Sequence, residues 1–290
     1  MSSPPRARRL ALATGLTYNV LEWGAEHAQT IVLVHGFLDL AWGWDDVPAL
    51  LAQRYHVIAP DLRGHGDSDW VGPGGYYHFF DYLPDLDDVV TRLARGPVVM
   101  VGHSMGGSVA AYWAGARPEQ VRALVLLEGI GPPEATTPVP DRTARWIEAW
   151  RLARAGAKVM PSVEDAAARL RKHDHLLDER RALALATHGT RAVPGGFTWK
   201  HDPLHLTQGP YPYRVDTATQ FWQRVTAPVL YVEGAQSRFR LADADTERRL
   251  AAFPRCARAV IPDAAHMMMR HQPAAVAAAI ESVITGTGSS

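Results

Sequence analysis

The stretch VVMVGHSMGGSVAAYWAG, residues 98–115, constrains this chain more than any other. An aliphatic run ends at Val101, the turn Gly102-His103-Ser104-Met105-Gly106 follows, and a helical pattern begins at once. A Gly-x-Ser-x-Gly turn between a strand and a helix is a nucleophile elbow. Its glycines let the backbone turn sharply without Cβ clashes, so the serine is held strained and exposed at the carboxyl end of a sheet. The N-terminus of the following helix favours negative charge developing beside it.

Such a turn requires a buried sheet. Apolar runs recur at 30–34, 56–59, 98–101, 123–127, 229–232 and 257–261. They do not alternate with polar residues, which is how strands covered on both faces of a parallel sheet read. Helical patterns at 46–54, 83–95, 105–117, 244–253 and 273–284 lie between or after them. The expectation is an α/β fold with a mostly parallel, doubly wound sheet. Over 131–220 the alternation breaks: a turn-rich GPPEATTPVP is followed by helical patterns with no strand run. This predicts a helical lid inserted into a core made of residues 1–130 and 221–290.

A chain of 290 residues, 47% hydrophobic, is long enough to bury such a core. Thirty basic and thirty acidic residues cancel, which argues against nucleic acid or an anionic membrane as partner and for a small molecule. The single cysteine, Cys256, permits no intramolecular disulfide and reads as a small core residue. The first sixteen residues lack a convincing signal-peptide pattern. No run approaches the ~18 apolar residues of a membrane span. A cytoplasmic location without stable membrane association is expected, and nothing in the sequence sets the oligomeric state.

A serine needs a base. His266 follows the last apolar run within a few residues, so its loop leaves the same sheet edge as Ser104. His271 is a rival nearer the closing helix. His35 and His103 fall in glycine-containing turns and read as structural. His173 and His175, spaced i, i+2, splay apart on a helix, so no metal site is expected. HGF at 35–37 follows an early strand, where the Phe37 amide, with that of Met105, is placed to receive an oxyanion.

Taken together, HGFLDLAWGWDDVPALLA, VIAPDLRGHGDSD, VGHSMGG and HMMMRHQP resemble successive landmarks of the α/β-hydrolase superfamily over nearly the whole chain. HGFLD, the GHG turn, GGYYHFFDYLPDL and WKHDPLHL are most similar to its serine hydrolase-like branch. The resemblance implies an α/β-hydrolase fold with Ser104 as nucleophile, His266 as base, Phe37 and Met105 as oxyanion donors, and 131–220 as the lid. It also raises a question. The triad acid of most relatives lies three residues beyond the glycine that ends the strand after the lid, and here that position is Ser237.

Glu128, at the end of the run 123–127, takes the role in this reading, as in some relatives, and keeps the chain order Ser, Glu, His. Glu233, Asp243 and Asp245 are alternatives, the last two better explained as first-turn acids of a helix. Ser237 is then an ordinary turn residue, and Asp61 a loop organiser paired with Arg63. A serine in the elbow favours acyl transfer to water, hence a carboxylesterase acting on a moderately apolar small-molecule ester without metal or organic cofactor. Trp42, Trp146, Trp150, Phe197 and Trp199 are the expected substrate-binding residues. Amide, lactone, thioester or carbon–carbon hydrolysis would use the same triad, and a non-catalytic small-molecule receptor is the alternative from another class.

Overall fold

The computed structural model describes residues 4–44, 46–153 and 158–286. In chain order come β1 (Arg6–Ala11), β2 (Thr17–Trp23), β3 (Thr30–Val34), α1 (Val47–Leu51), β4 (His56–Pro60), α2 (Tyr82–Leu93), β5 (Val98–His103), α3 (Met105–Ala116) and β6 (Val121–Leu127). The inserted segment holds α4 (Val139–Ala153), α5 (Val163–His173), α6 (Glu179–Gly189), β7 (Thr190–Val193) and β8 (Gly196–Trp199). Then follow α7 (Val215–Trp222), β9 (Val229–Gly234), α8 (Asp243–Leu250), β10 (Cys256–Ile261), α9 (Met268–His271) and α10 (Pro273–Thr285). Residues 154–157, at the end of the helical stretch expected from 142, and 287–290, in the polar tail, lie outside the described residues.

Among the described residues, eight strands form the main sheet in the order β1-β2-β4-β3-β5-β6-β9-β10. Pairing is parallel from β4 through β10, and antiparallel where β2 meets β1 and β4. Every expected strand run is present. Their aliphatic residues divide between two cores: Val32, Val34, Met100 and Leu126 pack with Trp113 and Trp222, while Ile31, Leu33, Val101 and Leu127 pack with Val276 and Ile280. That division is why the runs do not alternate.

Three elements depart from the expectation. The β1–β2 hairpin was not expected, because RARRLA is an arginine-bearing edge strand without an aliphatic run. The inserted segment is not wholly helical: β7 and β8 pair as a hairpin, and Phe197 bonds Met160 through both its backbone N–H and its C=O. The insertion has its own small core of Met160, Ala166, Leu177, Ala182, Leu185 and Ala186. Helix α7, expected within the lid, instead buries Val215, Ala218 and Trp222 in the main core beside α3.

Candidate active site

Ser104 lies between β5 and α3 with φ 52° and ψ −120°, a strained conformation for a residue with a Cβ. Its N–H bonds Leu127 O on the neighbouring strand at 2.9 Å. The flanking glycines are required by close approach: a Cβ on Gly102 would stand 2.5 Å from Gly106 O, and one on Gly106 2.3 Å from Val34 O. Met105 opens α3, so its N–H has no acceptor within the helix. Among the described residues neither that N–H nor that of Phe37 has a protein acceptor.

The loop bearing Phe37 is held by histidines. His35 accepts Leu62 N–H at 2.9 Å, and His65 accepts Leu38 N–H at 3.3 Å across a positive-φ residue. Asp61 organises the same loops by accepting Ala41 N–H at 2.6 Å, Asp67 N–H at 2.9 Å and the Asn19 amide at 2.9 Å. Burial raises its carboxyl above the ordinary value. The expected Asp61–Arg63 pair does not form. Arg63 is taken by Asp85 of α2 at 2.6 Å, a buried carboxylate that also accepts from Tyr18 and Thr14.

Glu128 follows β6 with φ 46°, and its side chain is 1% exposed, so its charge must be satisfied within the protein. Oε1 accepts Gly234 N–H at 3.0 Å, while Oε2 accepts Ser237 Oγ–H at 2.7 Å and His266 Nδ1–H at 2.6 Å. The Glu128 N–H bonds Val232 O on β9. The carboxylate thus sits across the ends of β6 and β9 and reaches the loop after β10. Ser237 is no ordinary turn residue, contrary to expectation. Where a carboxylate is absent, its hydroxyl holds the carboxylate that arrives from the adjacent strand.

The rival acids are engaged elsewhere. Glu233 pairs with Arg258 at 2.7 Å, Asp243 with Arg258 at 2.8 Å, and Asp245 with Arg248 and Arg249 at 2.5 and 2.8 Å. The rival base is occupied too: His271 Nδ1 accepts Ala265 N–H at 3.1 Å, and Nε2 donates to Asp174 of the insertion at 2.8 Å. His103, expected to be structural, has a specific task. Its Nε2–H bonds His266 O at 2.9 Å, and burial, reinforced by the nearby His266, keeps its ring neutral well below the ordinary histidine range.

Ser104, Met105, Phe37, Glu128 and His266 all line one cavity of about 720 Å³. None of the five expected substrate-binding residues, Trp42, Trp146, Trp150, Phe197 and Trp199, lines it. Trp42 stacks on His188 at 3.9 Å, and Phe197 is bound in the hairpin. Trp199 lines a separate space of about 100 Å³ together with Phe37, Leu38 and Arg270. Trp146 and Trp150 pack behind Tyr76, at 5.3 and 4.9 Å between ring centroids, and buttress the wall instead of forming it. Among the aromatics that do line it are Tyr76, Phe79, Tyr112, Tyr211, Tyr213 and Phe239, with Phe239 4.6 Å from the His266 ring between centroids. The clusters YYHFFDY at 76–82 and PYPY at 210–213 carry four of those six, and aromatics grouped with proline in loops were the signal available for them.

A sequence model of the "Alpha/beta hydrolase family" matches residues 31–279. The AB hydrolase superfamily protein YfhM of Bacillus subtilis (strain 168) is 28% identical over 273 residues, 90% of this chain and 92% of that protein. A serine hydrolase-like protein of Danio rerio is 28% identical over 235 residues, 78% of this chain and 72% of its own length. Among solved structures, the thioesterase domain from the curacin biosynthetic pathway superposes with a TM-score of 0.85 at 26% identity, covering 96% of this chain and all of that domain (100%). The Mycobacterium tuberculosis esterase Rv0045c shares the fold, with a TM-score of 0.78 at 24% identity over 98% of this chain and 93% of its own. With the elbow, the sheet order and the family match in agreement, this chain belongs to the alpha/beta hydrolase family.

Proposed function

We propose that the protein hydrolyses small to medium carboxylic esters through an acyl-enzyme on Ser104. The observation that carries this reading is the 2.6 Å contact between Glu128 Oε2 and His266 Nδ1, in the same cavity as a strained Ser104. With Nδ1–H committed to Glu128, the His266 Nε2 lone pair is left to take the Ser104 proton as Oγ attacks the carbonyl. The Phe37 and Met105 amides receive the oxyanion. Collapse returns the proton from Nε2 to the leaving alcohol, and water activated by His266 then releases the acid. Glu128 stays ionised and stabilises the imidazolium.

A further relative supports an acyl hydrolase: Lipase LipV of Mycobacterium tuberculosis is 36% identical over 110 residues, 38% of this chain and 41% of that protein. Thioester hydrolysis is the second reading, favoured by the likeness to the curacin thioesterase domain. In either case the segment between β6 and α7 acts as a lid, since its two ends, at Gly131–Pro133 and Leu204–Arg214, border the cavity.

A fluorophosphonate probe tests the nucleophile. It should label Ser104, and Ser104→Ala should abolish both labelling and turnover of p-nitrophenyl esters. Label on another residue, or retained turnover, sinks the assignment. Matched oxygen and thioesters of one acyl chain then separate the two readings.

A further inference from the structure

Besides its histidines and tyrosines, the cavity lining holds one acidic side chain, Glu128, and two guanidinium groups, Arg142 and Arg214. Glu128 is consumed by Gly234, Ser237 and His266. Arg214 is chelated by Asp216, through Nε at 3.1 Å and Nη2 at 2.6 Å. Arg142, on α4, is different. Its Nε–H bonds the Gly209 carbonyl at 2.5 Å, which fixes the plane of the guanidinium, and among the described residues no carboxylate lies within ion-pairing distance. Among the described residues neither Nη group has a protein acceptor.

The neighbouring hydroxyls do not compete. Thr207 Oγ donates to Leu204 O at 2.6 Å, so the Tyr76 hydroxyl must donate to Thr207 Oγ at 2.7 Å. Among the described residues, the cationic donors left over in the cavity lining are those of Arg142. A partly buried guanidinium with an oriented, unfilled fork is matched by a carboxylate, which accepts two parallel N–H bonds.

We propose that Arg142 forms an anion subsite and that the ester substrates carry a free carboxylate away from the scissile bond, as in half-esters of dicarboxylic acids. This specificity rests on the ester-hydrolase reading above; the anion subsite does not. The test compares p-nitrophenyl half-esters of adipic, suberic and sebacic acid with their methyl-capped neutral counterparts. In the parent enzyme the ratio of kcat/KM, anionic over neutral, should reach about tenfold or more at the chain length that spans the cavity. It should fall towards one in Arg142→Gln, stay intermediate in Arg142→Lys, and shrink with added salt. A ratio near one at every length, or one unchanged in Arg142→Gln, overturns the proposal. Calorimetric binding of monomethyl suberate to Ser104→Ala, with and without Arg142→Gln, reads the subsite without chemistry. Arg142-dependent binding in a protein that turns over no ester would retain the subsite and defeat the hydrolase reading. Turnover without anion preference would do the reverse.

Discussion

At the residue scale the proposed mechanism turns on Glu128, a buried carboxylate with φ 46° that three donors hold. Glu128→Gln preserves the shape but removes the charge opposing the imidazolium, so kcat should drop by about a hundred- to ten-thousandfold with little change in urea midpoint. Near-parental kcat would reject Glu128 as the acid. Ser237→Ala deletes a 2.7 Å hydrogen bond to that carboxylate. Such a bond is worth about 1.5 to 3 kcal/mol when one partner is charged. Steady-state kinetics should show kcat lowered several-fold, far less than for Glu128→Gln, whereas a mere turn residue would leave kcat untouched. In a Glu128→Gln background, Ser237→Asp should recover part of the loss, since it returns a carboxylate to the usual loop.

At the scale of elements, the insertion is tied to the sheet edge beside the site. His271, the last residue of α9, accepts the Ala265 N–H immediately before His266 and donates to Asp174, the residue that caps the C-terminus of α5. Its side chain is 2% exposed, so neither partner is readily rescued by water when the ring is removed. His271→Ala should destabilise the protein by about 2 to 4 kcal/mol in urea unfolding, from two buried groups left unpaired and a cavity. The loop bearing His266 and α5 should also exchange amide hydrogens faster. Stability equal to the parent would show that the tie contributes nothing. The sequence offers His271 only as a rival base, because its partner Asp174 is brought beside it by the fold of the insertion and not by local order.

For the whole molecule, burial holds His65 and His103 well below the ordinary value of 6.5, His201 at about 4 and His205 at about 3. A histidine whose folded value is depressed stays neutral in the native state while the unfolded chain takes up a proton. Stability is therefore complete above the unfolded value and is lost as pH falls through about 6.5. Each ring contributes up to about 1.4 kcal/mol per pH unit in that window. The urea midpoint should be flat from pH 8 to 7 and decline steeply between 6.5 and 5. A midpoint that holds level to pH 5 would show that these rings are not buried neutral.

Two things were fixed by local order along the chain. The elbow and its sheet were legible because a turn between a strand and a helix is set by adjacent residues, and because strands covered on both faces leave unbroken aliphatic runs at 30–34, 98–101 and 123–127. Glu128 was legible for a related reason, as a carboxylate placed at a strand end on the same edge as Ser104. The tertiary structure alone decided what surrounds that edge. Trp146 and Trp150 stand behind Tyr76, Ser237 holds Glu128, and Arg142 faces the cavity because of how the insertion folds back over the sheet. Those contacts join residues far apart in sequence, and helical periodicity reports which face of α4 is apolar but not what that face meets.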